Sequence, residues 1–225
     1  MTARDEILAR VRTALRDVPK DEHPDSFPVP RDYLSAHIGD DPVALVDLLA
    51  ENLADYRAHV HRCSGSDLAA TIADLLHRRG SASVVVPADL PADWLAAASD
   101  VSQITDSPDL AARDLEAADT VVTGAALAIA ETGTIVLDAG PAQGRRALTL
   151  VPDHHICVLR VPEQVVASVP EAIARLHPAR LGPGRPQTWI AGPSATSDIE
   201  FNRVEGVHGP RTLDVILVQA PPSPE

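Results

Sequence analysis

From Ser66 to Thr123 helix-like and strand-like segments alternate with short links between them, and few architectures accept that rhythm. Ser66 can cap a helix carrying Leu68, Ile72, Leu75 and Leu76, and Gly80 closes it. Ser83-Val84-Val85-Val86-Pro87 follows as a continuous apolar run, the pattern of a strand buried on both faces. Pro91 to Ala98 reads as a helix, Val101 to Ile104 as a strand, Pro108 to Leu115 as a helix and Thr120-Val121-Val122-Thr123 as a strand. This alternation predicts an α/β sheet with parallel strands.

The rhythm breaks in the middle of the chain. Leu127–Ala130 and Thr134–Leu137 flank Glu131-Thr132-Gly133, a hairpin pattern with glycine in the turn. A strand over Ile156–Val161, a helix over about Gln164–Leu176 and strands over Thr188–Ala191 and Leu213–Val218 complete the reading; Pro221–Glu225 reads as a frayed tail. Upstream, Ile7, Leu8, Val11 and Leu15 line one face of a helix that ends near Val18-Pro19, and the proline-rich residues 19–30 read as a loop. After Asp41-Pro42, Val46, Leu49, Leu53, Tyr56 and Val60 recur at helical spacing and predict one long helix. Its apolar face can pack within the chain or on a second copy, which leaves a homo-oligomer open. His59 and His61, two apart on such a helix, would not share a face.

Composition narrows the function classes. Nineteen basic residues against 32 acidic ones give a net charge of −13, the wrong sign for a nucleic-acid or anionic-membrane binder. Lys20 is the one lysine, so arginine is weak evidence of a site here. No apolar run approaches the roughly 20 residues of a membrane span, and the polar start Met1–Glu6 carries no apolar signal region, so a cytoplasmic protein is expected. Cys63 and Cys157 are isolated, which predicts neither a disulfide framework nor a metal or iron–sulfur site. No histidine pair has the spacing of a helical metal site, and no cofactor is expected.

Three segments exceed what folding alone requires. Glu131, beside Gly133 and far from any basic residue in sequence, can serve as base or nucleophile, although turn chemistry also accounts for both residues. The stretch Asp138-Ala139-Gly140-Pro141-Ala142-Gln143-Gly144-Arg145-Arg146 can hold an anion through backbone amides and Arg145, or can simply end in surface charges. At the C-terminal end, Gly192-Pro193-Ser194-Ala195-Thr196-Ser197 leads to a helix start at which Ser197 and Glu200 would form a capping box. The hydroxyls of Ser194, Thr196 and Ser197 can equally face an anion, with His208 and Arg211 of Gly206-Val207-His208-Gly209-Pro210-Arg211 beside them. Open α/β sheets gather ligands at strand ends, so Glu131, Ser194 and His208 are expected around one cleft.

These same stretches, Ala130-Glu131-Thr132-Gly133-Thr134, Gln143–Leu148, Gly192–Glu200 and Gly206–Arg211, resemble the lactate utilisation protein C (LutC/YkgG) family in order and content. The resemblance runs from roughly Ser66 to Val218. It implies a LUD domain over residues 66–220 behind an N-terminal helical extension over 1–65. The implied fold is a three-layer, Rossmann-like α/β sheet of the NagB/RpiA/CoA-transferase-like type. It further implies a place in a bacterial system that oxidises L-lactate to pyruvate, with iron–sulfur companion proteins carrying the redox centres and this chain as an accessory subunit. The alternative within the same fold group is an enzyme acting on a small anionic ligand, with Glu131 similar to the transferases' catalytic glutamate.

Overall fold

The computed structural model describes residues 2–19, 30, 32–177, 185–196, 204–205 and 209–219. It divides into two compact units, Met1–Leu34 and Ser35–Glu225. The first holds helix α1 (Ala3–Ala14), started by a capping box in which Thr2 and Asp5 exchange hydrogen bonds. The proline-rich loop expected over 19–30, the Ser197–Glu200 capping box and the tail at Pro221–Glu225 fall almost wholly outside the described residues.

The second unit is built on six parallel strands: β1 (His59–Ser64), β2 (Ser83–Val86), β3 (Ser102–Thr105), β4 (Thr120–Gly124), β7 (His154–Val161) and β12 (Thr212–Gln219). Their order across the sheet is β1-β12-β7-β4-β2-β3. Alternation along the central strands sends side chains to two separate cores. Helix α3 (Leu68–Arg79) and a 3-10 turn over Ala92–Leu95 cover one face, packing Ile72, Leu76 and Trp94 on Val84, Val86, Ile156 and Ile216. Helix α2 (Pro42–Asp55) covers the other, where Leu49 and Leu53 meet Cys157, Leu159, Val215 and Leu217.

A smaller sheet shares that second face. Strands β5 (Leu127–Ile129) and β6 (Thr134–Leu137) form the expected hairpin, flanked by β8 (Val165–Val166) and β9 (Thr188–Ile190) in the order β8-β5-β6-β9. Helix α5 (Val169–Arg175) lies on its outer side, burying Ala172 with Leu127, Ile129 and Val136. A two-residue pair joins β10 (Ala195–Thr196) to β11 (Val204–Glu205). The result is a three-layer, Rossmann-like α/β fold.

Several expectations need correction. The predicted long helix stops at Asp55, and residues 59–64 form β1, paired in parallel with β12. The stop comes from Arg57 at φ 68°, a left-handed residue after the helix where glycine is usual. β1 therefore belongs to the sheet, and α2 packs its apolar face inside the chain. The division into compact units falls between Leu34 and Ser35. The segment read as a helix over Gln164–Leu176 splits into β8 and a shorter helix started by Ser168, whose side chain accepts a hydrogen bond from Glu171 N. The helices expected over 91–98 and 108–115 shrink to the Ala92–Leu95 turn and α4 (Ala112–Glu116).

Candidate functional site

Parallel strands end together, so the loops leaving β4, β2 and β7 rim one edge of the sheet. There they enclose a cleft of about 400 Å³. One wall is the loop from Asp138 to Gly144, which returns from β6 and is unusually constrained. Ala139 and Ala142 hold φ values of 54° and 59°, the left-handed region that non-glycine residues avoid. Backbone strain of this kind costs on the order of 1–3 kcal/mol per residue and persists where surrounding bonds impose it.

Those bonds are visible. Asp138 N donates to Gln143 Oε1 at 2.6 Å, Ala142 N donates to Asp89 Oδ2 at 3.0 Å, and Gly124 N donates to Ala142 O at 2.7 Å. Arg185 donates through Nε to Asp138 O at 3.0 Å and through Nη2 to Asp138 Oδ1 at 3.3 Å. A Cβ on Gly140 would lie 2.5 Å from Arg185 Nη2 and 2.7 Å from Asp138 Oδ1, so a side chain there would displace the ends of both. Across the cleft, Gln164 accepts from Arg160 N at 2.6 Å and donates to Ala125 O at 2.5 Å. The guanidinium of Arg160 is exposed on the rim and has no carboxylate partner among the described residues. The arrangement can hold a small anion by charge-assisted bonds in a polar, preorganised cleft. No serine, cysteine or histidine lines it among the described residues.

Each residue singled out from the sequence has a definite place. Glu131 sits in the 3-10 turn between β5 and β6, where its Oε1 accepts from His37 N at 2.6 Å and lies 3.5 Å from His37 Nδ1. Asn52 of α2 clamps the same turn by donating Nδ2 to Ala130 O at 2.7 Å. Glu131 is thus covered, with a side-chain exposure of 17%, and lines none of the clefts described here. Arg145 binds Asp106 through Nε at 2.9 and 3.1 Å and donates Nη2 to Leu110 O at 2.8 Å, which ties down the loop after β3.

The C-terminal loops do converge: Ser194 N donates to Pro210 O at 2.8 Å. Ser194 lines a cleft of about 320 Å³ with Arg146, Thr149 and His155. Arg211 lines a neighbouring cleft of about 760 Å³ at the opposite, amino-terminal edge of the sheet, its Nη1 3.5 Å from Asp153 Oδ2. Thr196 pairs by its backbone with Val204, and Ser197 and His208 lie outside the described residues. Ser194, Arg146 and the Gly209–Arg211 turn therefore come together, whereas Glu131 and Arg145 stand elsewhere.

Sequence reasoning flagged the Asp138–Arg146 stretch but missed its partners Asp89 and Arg185, and Arg160 and Gln164 across the cleft. A lone arginine on a strand end carries no local signal. No group of three or more histidine, cysteine or acidic side chains among the described residues is placed to hold a metal ion. Burial pushes the Cys157 thiol up to about 12, so it carries no thiolate for ligation.

Residues 46–218 match the family profile of the LUD domain. The chain is 46% identical over 193 residues, 85% of its length and 84% of the relative's, to a protein named lactate utilization protein C from Deinococcus radiodurans. A protein of the same name from an Exiguobacterium species is 35% identical over 130 residues, 56% of this chain and 52% of that one. Among solved structures, a DUF162 family protein from Deinococcus radiodurans, determined at 1.70 Å, superposes with a TM-score of 0.68 at 40% identity, covering 80% of this chain and 99% of that chain.

Proposed function

Because the chain belongs to the LUD domain family, we propose that it is the component without a redox centre in a bacterial L-lactate utilisation system. In that reading L-lactate is oxidised to pyruvate, and the two electrons leave through iron–sulfur companion proteins. The observation that carries it is the 46% identity over 85% of the chain to a protein named for lactate utilisation. The residues agree with the division of labour. A four-thiolate cluster needs more cysteine than the two present, and Cys157 is sealed in the sheet. What the chain offers is the carboxyl-edge cleft, in which Arg160 and the Asp138–Gln143 loop can bind and orient a carboxylate of lactate size.

Glu131 is not arranged for attack on a ligand, because its carboxylate is occupied by His37 N and closed in by α2. This favours the accessory reading over a transferase-like one. Deletion of the gene from its host tests the proposal. Growth on L-lactate is expected to stop while growth on pyruvate continues. Unchanged growth on L-lactate, or equal loss on both carbon sources, would overturn it.

A further inference from the structure

At the amino-terminal edge of the sheet, remote from the carboxyl-edge cleft, five side chains from five segments form an unbroken line of short hydrogen bonds. Ser81 Oγ lies 2.7 Å from Thr120 Oγ1, and Thr120 Oγ1 lies 2.9 Å from His154 Nδ1. His154 Nε2 lies 2.7 Å from Asp214 Oδ2, and Asp214 Oδ1 lies 2.6 Å from His61 Nε2. Thr120, His154, Asp214 and Ser81 are all buried. Parallel register creates the line: β4 and β12 both set their first residue beside His154, and β1 sets His59 beside Asp214. In a strand His59 and His61 share a face, so both turn toward Asp214, with His59 Nδ1 at 3.6 Å.

The donor inventory fixes how protons run. Burial alone would raise the Asp214 pKa, but the hydrogen bonds from His154 and His61 outweigh it and hold the carboxyl below its ordinary range. An ionised carboxylate only accepts, so both imidazoles donate Nε2–H to it. With a neutral His154 ring, Nδ1 accepts from Thr120, Thr120 accepts from Ser81, and Ser81 turns lone pairs outward. With an imidazolium, the bonds to Asp214 keep their direction and the two on the Nδ1 side reverse: Nδ1–H donates to Thr120, Thr120 donates to Ser81, and Ser81 turns its O–H outward. The outward side of Ser81 is the cleft of about 760 Å³ that also holds Arg79, Arg146 and Arg211.

Those arginines are only lightly engaged. Arg79 reaches Thr212 Oγ1 at 3.4 Å, Arg211 stands 3.5 Å from Asp153, and Arg146 has no side-chain partner among the described residues. Glu116, Asp119 and Asp153 share the rim, but Asp119 is satisfied by Ala82 N, Ser83 N and Ser83 Oγ at 2.9 to 3.0 Å. His155, beside His154 in sequence, faces the other side of the sheet and bonds Thr123.

We propose that this amino-edge cleft binds a small oxyanion, a carboxylate or a phosphate, and that Ser81, Thr120, His154 and Asp214 couple its binding to protonation of His154. An oxyanion between the arginines accepts from Ser81 O–H, and that polarity requires the imidazolium form. Binding raises the proton affinity of His154 Nδ1, and the proton taken up comes from solvent. No bond other than hydrogen bonds is made or broken.

The test follows the imidazole nitrogens of His154 by NMR in the full chain carrying ¹⁵N-histidine. The sample is held at the pH where the ligand-free ring is half protonated, and inorganic phosphate or L-lactate is added. The ratio of imidazolium to neutral ring should rise about tenfold at saturation, one unit of proton affinity. A response to phosphate alone identifies a phosphoryl ligand, and a response to lactate alone identifies a carboxylate. Thr120→Val and Ser81→Ala, each checked for an unchanged amide spectrum, should abolish the response. A His154 signal unmoved by both anions, or moved equally in Thr120→Val, overturns the proposal. Were Thr120→Val to unfold the chain, the Ser81→Ala comparison would decide alone.

Discussion

His155 lies wholly inside the protein, 1% exposed, with Nε2 2.7 Å from Thr123 Oγ1. Burial, with the neighbouring charge of His154 adding to it, pushes its pKa down to about 3 from an ordinary 6.5. The unfolded chain binds this proton more readily than the folded one. The stabilisation is therefore complete above about pH 6.5 and is lost as the pH falls toward 3. At pH 5 the loss is on the order of 2 kcal/mol. Asp214, whose pKa is lowered, adds a further loss below its ordinary range. His155→Gln keeps a partner for Thr123 and removes the titration. Chemical denaturation at pH 7 and pH 5 should then show a smaller acid loss in the variant than in the parent. An identical loss would mean that other groups govern acid stability. None of this was readable from the His154-His155 pair alone, because the opposite fates of neighbours on a strand depend on which strands flank them.

At the scale of elements, the hairpin turn and α2 are locked together. Gly133 takes a φ of 59°, and a Cβ there would fall 2.8 and 2.9 Å from the carbonyl carbon and oxygen of Asn52. Helix backbone cannot yield as a flexible side chain can, so Gly133→Ala should destabilise the chain by roughly 2–4 kcal/mol. The denaturation midpoint measures it, and a change below about 0.5 kcal/mol, the scale of an ordinary surface substitution, would contradict this packing. The glycine and the hairpin were legible in Ala130-Glu131-Thr132-Gly133-Thr134, and so were α3, β2, β4 and β7, whose apolar runs and end signals are local. β1 was not. His59-Val60-His61-Arg62 alternates weakly, continues the helical spacing of α2, and follows a stop made by Arg57 rather than by glycine or proline. Only pairing with β12 makes it a strand.

For the whole molecule, the α/β class with parallel strands followed from the helix–strand rhythm and the three layers from the family resemblance, while the sites depended on pairing across the chain. Asp138 meets Arg185, His61 meets Asp214 and Arg145 meets Asp106 over separations of 47, 153 and 39 residues. No local pattern encodes such meetings, so glycine-rich stretches were visible and their charged partners were not. The proposed role is that of a chain without its own electron-transfer centre, acting with iron–sulfur companions. The direct measurement is L-lactate-dependent reduction of an artificial electron acceptor by the purified chain, by the companions, and by both together. No reduction by the chain alone and a lactate-dependent rate only in the reconstituted mixture are the expected results. Lactate-dependent reduction by this chain alone, or a companion rate unchanged by its addition, would contradict the account.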